Sequence, residues 1–500
     1  MTDAWNQARG RINQRRGPHR PPSASLPQYD PQAPLPLLAP VPFVNGRVLA
    51  WAALQESERT DRFLQETLAD LAHCHQLPPA ERALAVDIAS GVIRRRRTLD
   101  CLIAKVLTRP RQQTEPELWQ ILRMGVFQLF FARTPPHAAV SSSVELCRSL
   151  QRDRWTGFVN GILRSLGRLQ LEQSEPANTH GPGPAPSSTA VPAEAGRWIP
   201  FNTAVLPDPR LAPVEWFADA FSLPSELARR WKQQLSEADC IAAGFFFNEP
   251  PRTTLRVNRL RTTRSNLQQA LAAADLISEP GVLEHSLHVP HAGAPERLPG
   301  FSEGWWSIQD EAAQAAALLL NPRPGESILD LCSAPGGKTT HLAELSDDKA
   351  RIIACDVSRP RLDRVQQNVQ RLGLTSIELH LIERSGEGLP AGEFDAALVD
   401  VPCSNTGVLH RRPEARWRFD ATALQELTAL QTRLLLTAAS RIRPGGRIVY
   451  STCSLEPEEN AGVVHAALAQ LPNFRLIQET LHKPGAPADG AYQALLERNP

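Results

Sequence analysis

The sequence predicts an all-helical N-terminal domain followed by an α/β domain built on a doubly wound, mostly parallel sheet. Apolar residues recur at three- and four-residue spacing up to Leu169, whereas from Gly325 short β-rich runs alternate with helical ones. Between the two lies a stretch of Gly, Pro, Ser, Thr and Ala without periodicity. A chain of 500 residues that is 42% hydrophobic has enough apolar material for two or three separate cores.

Residues 1–45 are rich in Pro and polar side chains, carry Arg9, Arg11, Arg15, Arg16 and Arg20, and include Leu35-Pro36-Leu37-Leu38-Ala39-Pro40. Such a composition buries too little apolar surface to offset chain ordering, so a disordered basic tail is expected. It is either a non-specific attractor of phosphates or a solvated leader. Residues 46–170 read as a helical bundle, from the series Leu64, Leu68, Leu71, then Leu84, Ile88, Val92, then Leu118, Leu122, Val126, Leu129. Residues 171–199, with Thr179-His180-Gly181-Pro182-Gly183-Pro184, read as a flexible linker. A mixed segment follows over 210–310, helical around Trp216 to Ala243 and strand-like at Thr254-Leu255-Arg256-Val257. The α/β domain occupies 311–500, with strands expected at Ser327 to Leu331, Arg351 to Asp356, Ile377 to Ile382, Phe394 to Asp400 and Arg447 to Thr452. Helices are expected after the first, second and fourth, and ligands at the carboxyl ends of the strands.

A net charge of +1 announces no nucleic-acid binder, although basic residues cluster in the tail and at Arg94 to Arg97. The first thirty residues lack an apolar signal region, and no apolar run approaches the roughly 18 residues of a membrane span. Neither export nor membrane insertion is expected. Eight scattered cysteines with no C-x-x-C pair argue against a disulfide framework and a zinc ribbon. No metal site is expected. A reducing, cytoplasmic setting fits, and any special cysteine there is catalytic.

The first strand runs into Cys332-Ser333-Ala334-Pro335-Gly336-Gly337-Lys338-Thr339-Thr340, a glycine turn opening a helix without the spacing of a phosphate-binding P-loop. Glycines there let backbone approach a ligand closely, and the helix N-terminus favours a carboxylate such as that of a methionine moiety. The second strand ends at Asp356, placed to accept hydrogen bonds from ribose hydroxyls. Alone, a glycine turn and an acid describe an unspecified nucleotide-cofactor site or a tight structural turn.

Two cysteines narrow the reading. Asp400-Val401-Pro402-Cys403-Ser404 follows the fourth strand and Ser451-Thr452-Cys453-Ser454 the fifth, and neighbouring strand ends of a doubly wound sheet converge. Carbon 5 of cytosine becomes nucleophilic only after something adds to carbon 6, a task suited to a thiolate; a second group must then take the proton from carbon 5. Asp400 is placed to hydrogen-bond the base near ring nitrogen 3. A lone cysteine at a strand end is ordinarily a small buried hydrophobe, the reading given to Cys332, Cys355 and the four N-terminal cysteines.

With these motifs the chain resembles the bacterial small-subunit (16S) ribosomal RNA cytosine-5 methyltransferases of the Sun type, in which a NusB-like helical domain is joined to a Rossmann-like methyltransferase domain. The resemblance spans nearly the whole chain after the tail. It rests on Cys332 to Thr339 as cofactor loop, on Asp400 to Gly407 as a fourth motif, and on Ser451 to Ser454 with Pro457-Glu458-Glu459-Asn460 as a sixth. Trp306-Ser307-Ile308-Gln309-Asp310-Glu311 resembles the lead-in to the fold; Pro136 to Val140 and Phe158 to Arg164 resemble the NusB-like module, an accessory RNA-contacting domain in that family. The resemblance implies S-adenosylmethionine as cofactor and RNA as partner, 16S ribosomal RNA first. It implies Cys453 as the nucleophile, Cys403 as the aid to product release, Asp356 as ribose holder, residues 332–338 around the methionine and ribose, and Asp400 between cofactor and base.

Two departures stand out. An Asp usual in the family after the third strand is absent from Leu381-Ile382-Glu383-Arg384-Ser385-Gly386-Glu387, leaving Glu383 or Glu387 for the adenine end, and the usual Asp-Gly-Phe-Phe ending appears as Asp489-Gly490-Ala491-Tyr492. Arg411, Arg412, Arg416 and Arg418, with Trp417 and Phe419, read either as an RNA-contacting stretch with stacking or as a solvated helix face. The same reaction on transfer RNA is the nearest competing function, and a non-catalytic RNA-binding protein the more distant one, disfavoured by the intact cysteine pair and Gly336-Gly337 turn. Monomer is the default expectation for assembly.

Overall fold

The computed structural model describes residues 44–500 except 61, 109, 172–185, 195, 291, 384–387 and 486–487. The expected disordered tail, up to residue 43, and the part of the expected linker over 172–185 therefore lie outside the described residues. The described chain forms two compact units: one holds the residues up to Pro250 together with His410–Arg418, the other Pro251–Leu409 with Phe419–Pro500.

The first unit is helical. α1 (Gly46–Arg59) is capped by Asn45, whose side-chain oxygen accepts from the amides of Arg47 and Val48 at 3.0 Å. It is followed by α2 (Leu64–Cys74), α3 (Pro79–Val106), α4 (Pro116–Phe130), α5 (Pro136–Ser149) and α6 (Thr156–Gly167). Proline opens α3, α4 and α5, where its missing amide costs nothing. The three- and four-residue spacing puts Leu64, Leu68, Ile88, Val92, Leu122 and Val126 in the core, each at most 2% exposed. Gly91 of α3 lies against the ring of Phe127 so closely that a Cβ would sit 2.1 Å from it.

Flexibility was the expectation over 171–199, and its second half corrects it. β1 (Ala190–Pro192) and β2 (Trp198–Pro200) pair antiparallel, with Val191 and Ile199 buried and Trp198 stacked on Trp216. A few apolar residues in a Gly- and Pro-rich stretch suffice for a hairpin that packs on the next helices. These are α7 (Pro213–Phe221), α8 (Ser225–Gln234) and α9 (Glu237–Asn248).

The second unit carries two sheets. Its smaller one orders β4 (Glu279–Pro280), β5 (Ser286–Val289), β3 (Thr253–Val257) and β6 (Trp306–Ile308), all antiparallel, with α10 (Arg264–Ala273) joining β3 to β4. The expected mixed segment 210–310 is thus divided at Pro250 between the two units.

The larger sheet contains β7 (Ser327–Leu331), β8 (Arg351–Asp356), β9 (Ile377–Leu381), β10 (Phe394–Asp400), β11 (Ile442–Thr452), β12 (Phe474–His482) and β13 (Ala491–Arg498), in the order β12-β13-β11-β10-β7-β8-β9. The five strands β7 to β11 are parallel, as predicted, and β13 and β12 add an antiparallel edge. Alternate side chains of the strands face opposite layers. Ile328, Ile352 and Leu398 pack under α11 (Glu311–Leu320), α12 (Gly337–Leu345) and α13 (Arg359–Leu372); Leu329, Ile353 and Val399 pack under α14 (Ala421–Ala439) and α15 (Ala461–Leu468). Strand order reverses between β7 and β10, which opens a crevice at their carboxyl ends.

Candidate active site

The crevice is lined first by the turn from β7 into α12. Cys332 takes a left-handed backbone (φ +69°), and the amide of Ser333 donates to the Cys355 carbonyl at 2.9 Å, tying the turn to β8. Gly336, also left-handed at φ +99°, starts the helix; a Cβ there would meet Val365 of α13 at 3.0 Å. Arg361 donates to the Ala334 carbonyl at 2.7 Å and Asn368 to that of Pro335 at 3.1 Å. The turn is held before any ligand arrives.

A second support reaches it from the small sheet. Arg256, 1% exposed, donates to the Gly337 carbonyl at 2.6 Å, to both carboxylate oxygens of Glu344 at 2.6 and 3.0 Å, and to Gln309. Burial pushes the Glu344 carboxyl up, and the Arg256 charge opposes that.

Asp330, next to last in β7, and Asp356, the last residue of β8, lie under the turn. Thr339 Oγ1 donates to Asp330 Oδ2 at 2.6 Å, while Asp330 Oδ1 is buried without a hydrogen-bond partner. Burial pushes the Asp330 carboxyl up to about 7, against the Thr339 hydrogen bond. Asp356 accepts from the Ser358 amide at 3.0 Å through Oδ1. Its Oδ2 lies 3.3 Å from the Arg361 guanidinium in an ion pair without hydrogen-bond geometry. Burial raises its pKa too, with Arg361 pulling the other way. The Ser333 hydroxyl is likewise buried and unpartnered.

Those unused polar atoms, an acid at the end of β8 and a glycine turn at a helix N-terminus fit a ribose and a zwitterionic amino-acid end. Glu383, the acid expected near an adenine, lies exposed just beyond β9, and its alternative Glu387 lies outside the described residues.

The structure brings Cys403 and Cys453 together. Their Sγ atoms are 3.1 Å apart, both as free thiols, and Cys453 Sγ is also 3.4 Å from Asn405 Oδ1. The hydrogen bond to Cys453 and then burial drive the Cys403 thiol well up, and either sulfur can be the donor across the 3.1 Å contact. Lys338 Nζ contacts Asp400 Oδ2 at 2.7 Å. Burial disfavours the ammonium, but Asp400 and Cys453 raise its pKa overall.

Close packing of backbone sets these loops. The Gly407 amide donates to the Cys453 carbonyl at 3.0 Å and the Gly490 amide to the Gly407 carbonyl at 2.9 Å; a Cβ on Gly407 would lie 2.1 Å from the Gly490 oxygen. The Asp489-Gly490 ending therefore seals the two cysteine loops despite its altered continuation.

Sequence reasoning missed Arg256, Glu344 and the central role of Glu459, which is completely buried between the cysteine loops. In sequence Arg256 reads only as part of a strand, and a partner 88 positions away leaves no local signal. Glu459 sat in a recognised motif, but nothing local says which way its carboxylate points.

The basic runs are corrected. Arg416 is 0% exposed within the helical unit, donating to the carbonyls of Arg94, Phe221, Ser222 and Phe247 and to Asn248 Oδ1. Trp417 donates to the Ile93 carbonyl at 3.0 Å and Arg418 to that of Arg62 at 2.8 Å, so the stretch is neither a solvated face nor an open stacking platform at those residues. Arg94 and Arg95 of the earlier run are buried as well, on the carbonyls of His410 and Pro192, and burial lowers both to about 10. Apart from that of Arg94, inside α3, the carbonyls reached by Arg94, Arg95 and Arg416 lie at helix, strand or loop ends, where no intrahelical amide reaches them.

A doubly wound sheet with a glycine turn after its first strand and an acid closing its second suits a nucleotide-type cofactor, and the family matches make this unit an S-adenosylmethionine-dependent methyltransferase. Family profiles agree at both ends of the chain: "16S rRNA methyltransferase RsmB/F" matches residues 317–495 and "NusB family" residues 45–168. "Probable ribosomal RNA small subunit methyltransferase B" of Synechocystis sp. is 34% identical over 437 residues, 86% of this chain and 91% of that one. "Ribosomal RNA small subunit methyltransferase B" of Yersinia pseudotuberculosis is 32% identical over 441 residues, 87% and 92% of the two chains. The chain belongs to the ribosomal RNA small subunit methyltransferase B family.

Among solved structures, "Crystal Structure of PH0851" matches with a TM-score of 0.69 at 24% identity, covering 91% of this chain and 98% of that one, which speaks for the fold. A "Methyltransferase Homolog Protein from Pyrococcus Horikoshii" matches at 0.51 and 26% identity over 56% of this chain and 97% of its own. Among the described residues no helix is long and apolar enough to cross a membrane.

Proposed function

We propose that this methyltransferase adds a methyl group to carbon 5 of a cytosine in 16S ribosomal RNA through a covalent cysteine adduct. The observation that carries the reading is the pair of free thiols 3.1 Å apart at the ends of adjacent parallel strands. Bound S-adenosylmethionine would be held by residues 332–338, Asp356, Asp400 and either Glu383 or Glu387, and supplies an electrophilic methyl on a sulfonium.

The Cys453 thiolate adds to carbon 6 of the base, forming a carbon–sulfur bond and moving the ring electrons towards carbon 5, which can then form its bond to the methyl carbon. As addition builds charge in the ring, nitrogen 3 takes a proton from solvent and returns it on elimination; Asp400, fixed by Lys338, accepts a hydrogen bond from that N–H and favours the addition. Before addition, the largest influence keeping Cys403 protonated is Cys453 itself. Once the Cys453 sulfur is bonded to carbon, that hydrogen bond is gone, and Cys403 gives its own proton to solvent to become the base for release. As a thiolate it takes the proton from carbon 5; the electrons left behind restore the ring double bond and expel the Cys453 thiolate.

Support for the substrate comes from the names of the relatives, which specify small-subunit ribosomal RNA. We read the helical unit as the RNA-contacting module and the protein as a cytoplasmic monomer. The deciding experiment transfers labelled methyl from S-adenosylmethionine to unmodified small-subunit ribosomal RNA and maps the product. A single 5-methylcytosine is expected; acceptance of transfer RNA alone would overturn the substrate. Cys403→Ala should accumulate an RNA adduct that survives a denaturing gel, and Cys453→Ala should give neither adduct nor product. Methyl transfer by Cys453→Ala would overturn the mechanism.

A further inference from the structure

We infer that Glu459 is a positioning residue that clamps the two cysteine loops to each other and so sets the spacing of the Cys403 and Cys453 thiols. Its carboxylate touches the residue immediately after each cysteine. Oε1 accepts from the Ser404 amide at 2.8 Å and from Gln431 Nε2 at 2.9 Å; Oε2 accepts from the hydroxyls of Ser404 and Ser454, both at 2.5 Å. The same Gln431 amide donates to the Pro402 carbonyl at 2.9 Å, fixing the start of the Cys403 loop to α14.

The residue is anchored from its own side as well. The Tyr450 hydroxyl donates to the Glu459 carbonyl at 2.6 Å, and the neighbouring Asn460 bridges Thr452 and the Ser454 carbonyl at 2.6 and 3.0 Å. Glu459 is 0% exposed, and the four contacts to its carboxylate come from neutral donors rather than from a counter-ion. A buried carboxylate is costly unless its hydrogen bonds are complete. Core packing alone would be served as well by an apolar residue there. What an apolar residue cannot do is hold two loops from different strands by the amide and hydroxyls beside their cysteines.

The inference rests on the two-cysteine reading only for its effect on catalysis, so its test includes a readout that needs no RNA. Full-length Glu459→Ala and Glu459→Gln are compared with wild type for kcat, for KM and calorimetric Kd of S-adenosylmethionine, and for the rate at which diamide links Cys403 to Cys453. In that link two thiols lose two protons and two electrons, a sulfur–sulfur bond forms, and the diazene is reduced to a hydrazine.

Glutamine keeps all four contacts, since its oxygen accepts from the Ser404 amide and Gln431 while its NH2 donates to the two hydroxyls. Loss of alignment should lower kcat of Glu459→Ala by about 100-fold with cofactor KM and Kd within about twofold, and slow the diamide link by about tenfold. Glu459→Gln should recover most of both losses. A folded Glu459→Ala that links and turns over at wild-type rates overturns the clamp, as does joint loss of cofactor binding and turnover that glutamine does not restore. If the link slows as expected while Cys403→Ala traps no adduct, the clamp stands and the proposed reaction falls.

Discussion

Asp330 and Asp356 are both buried carboxyls under the glycine turn, yet they differ in what surrounds them. Asp356 has the Arg361 guanidinium at 3.3 Å, whereas Asp330 has a single threonine hydroxyl and an oxygen with no partner. With its folded pKa raised to about 7, above an ordinary carboxylate, Asp330 makes the folded state bind more protons than the unfolded one across that interval. Stability is therefore fully present below the unfolded pKa and falls as pH rises towards 7. Over about three pKa units the full effect is roughly 4 kcal/mol. Urea unfolding of cofactor-free Asp330→Asn against wild type should give curves that meet near pH 4, with the variant the more stable at pH 8. Parallel curves would mean that Asp330 ionises freely. For Asp356→Ala, loss of hydrogen bonds from ribose hydroxyls to a charged acceptor should weaken S-adenosylmethionine by about tenfold to a hundredfold in calorimetry. Unchanged affinity would remove Asp356 from the site.

Among the elements, those that were legible share a local cause. β7, β8 and β10 are short apolar runs and β9 an apolar–polar alternation, all bounded by turn residues, and the ends of the first three carry Cys332, Asp356 and Asp400, so strands and site could be read together. β12 and β13 could not: β12 is mostly exposed along its length, and Ala491 to Arg498 alternates too weakly to announce a strand. Their pairing is set by β11 in the fold, not by neighbours in sequence. The tie from β3 to α12 was hidden in the same way, because its stabilisation lies in one ion pair between distant elements. Arg256→Ala leaves Glu344 buried without its partner and should destabilise the second unit by about 3–5 kcal/mol. Arg256→Met combined with Glu344→Leu should recover most of that loss in urea unfolding. A double variant no better than the single would show that the Gly337 and Gln309 contacts of Arg256 carry the stability, not the charge pair.

At the scale of the whole molecule, one chain serves two units out of sequence order. It leaves the second unit after Leu409, spends His410–Arg418 in the helical unit, and returns at Phe419. Sequence periodicity sees contiguous segments, so this excursion reads either as a basic stretch available to RNA or as a solvated helix face. Within the helical unit Glu414 accepts from the Leu64 amide at 3.2 Å, Arg418 lies 4.5 Å over the Phe63 ring, and Arg416 donates five hydrogen bonds. Two properties separate a structural arginine from one that contacts phosphate. Removing a phosphate contact weakens RNA binding and reduces the slope of log K against log salt by about 0.7–0.9. Removing a buried guanidinium leaves carbonyls unpaired and lowers stability, without touching counterion release. Arg416→Ala should therefore lower the melting temperature of the helical unit by several degrees, for a loss of about 3 kcal/mol. RNA affinity of the folded fraction should keep its salt slope. A flattened slope with unchanged melting would return Arg416 to the RNA-binding surface, against the five hydrogen bonds its Nη atoms make inside the helical unit.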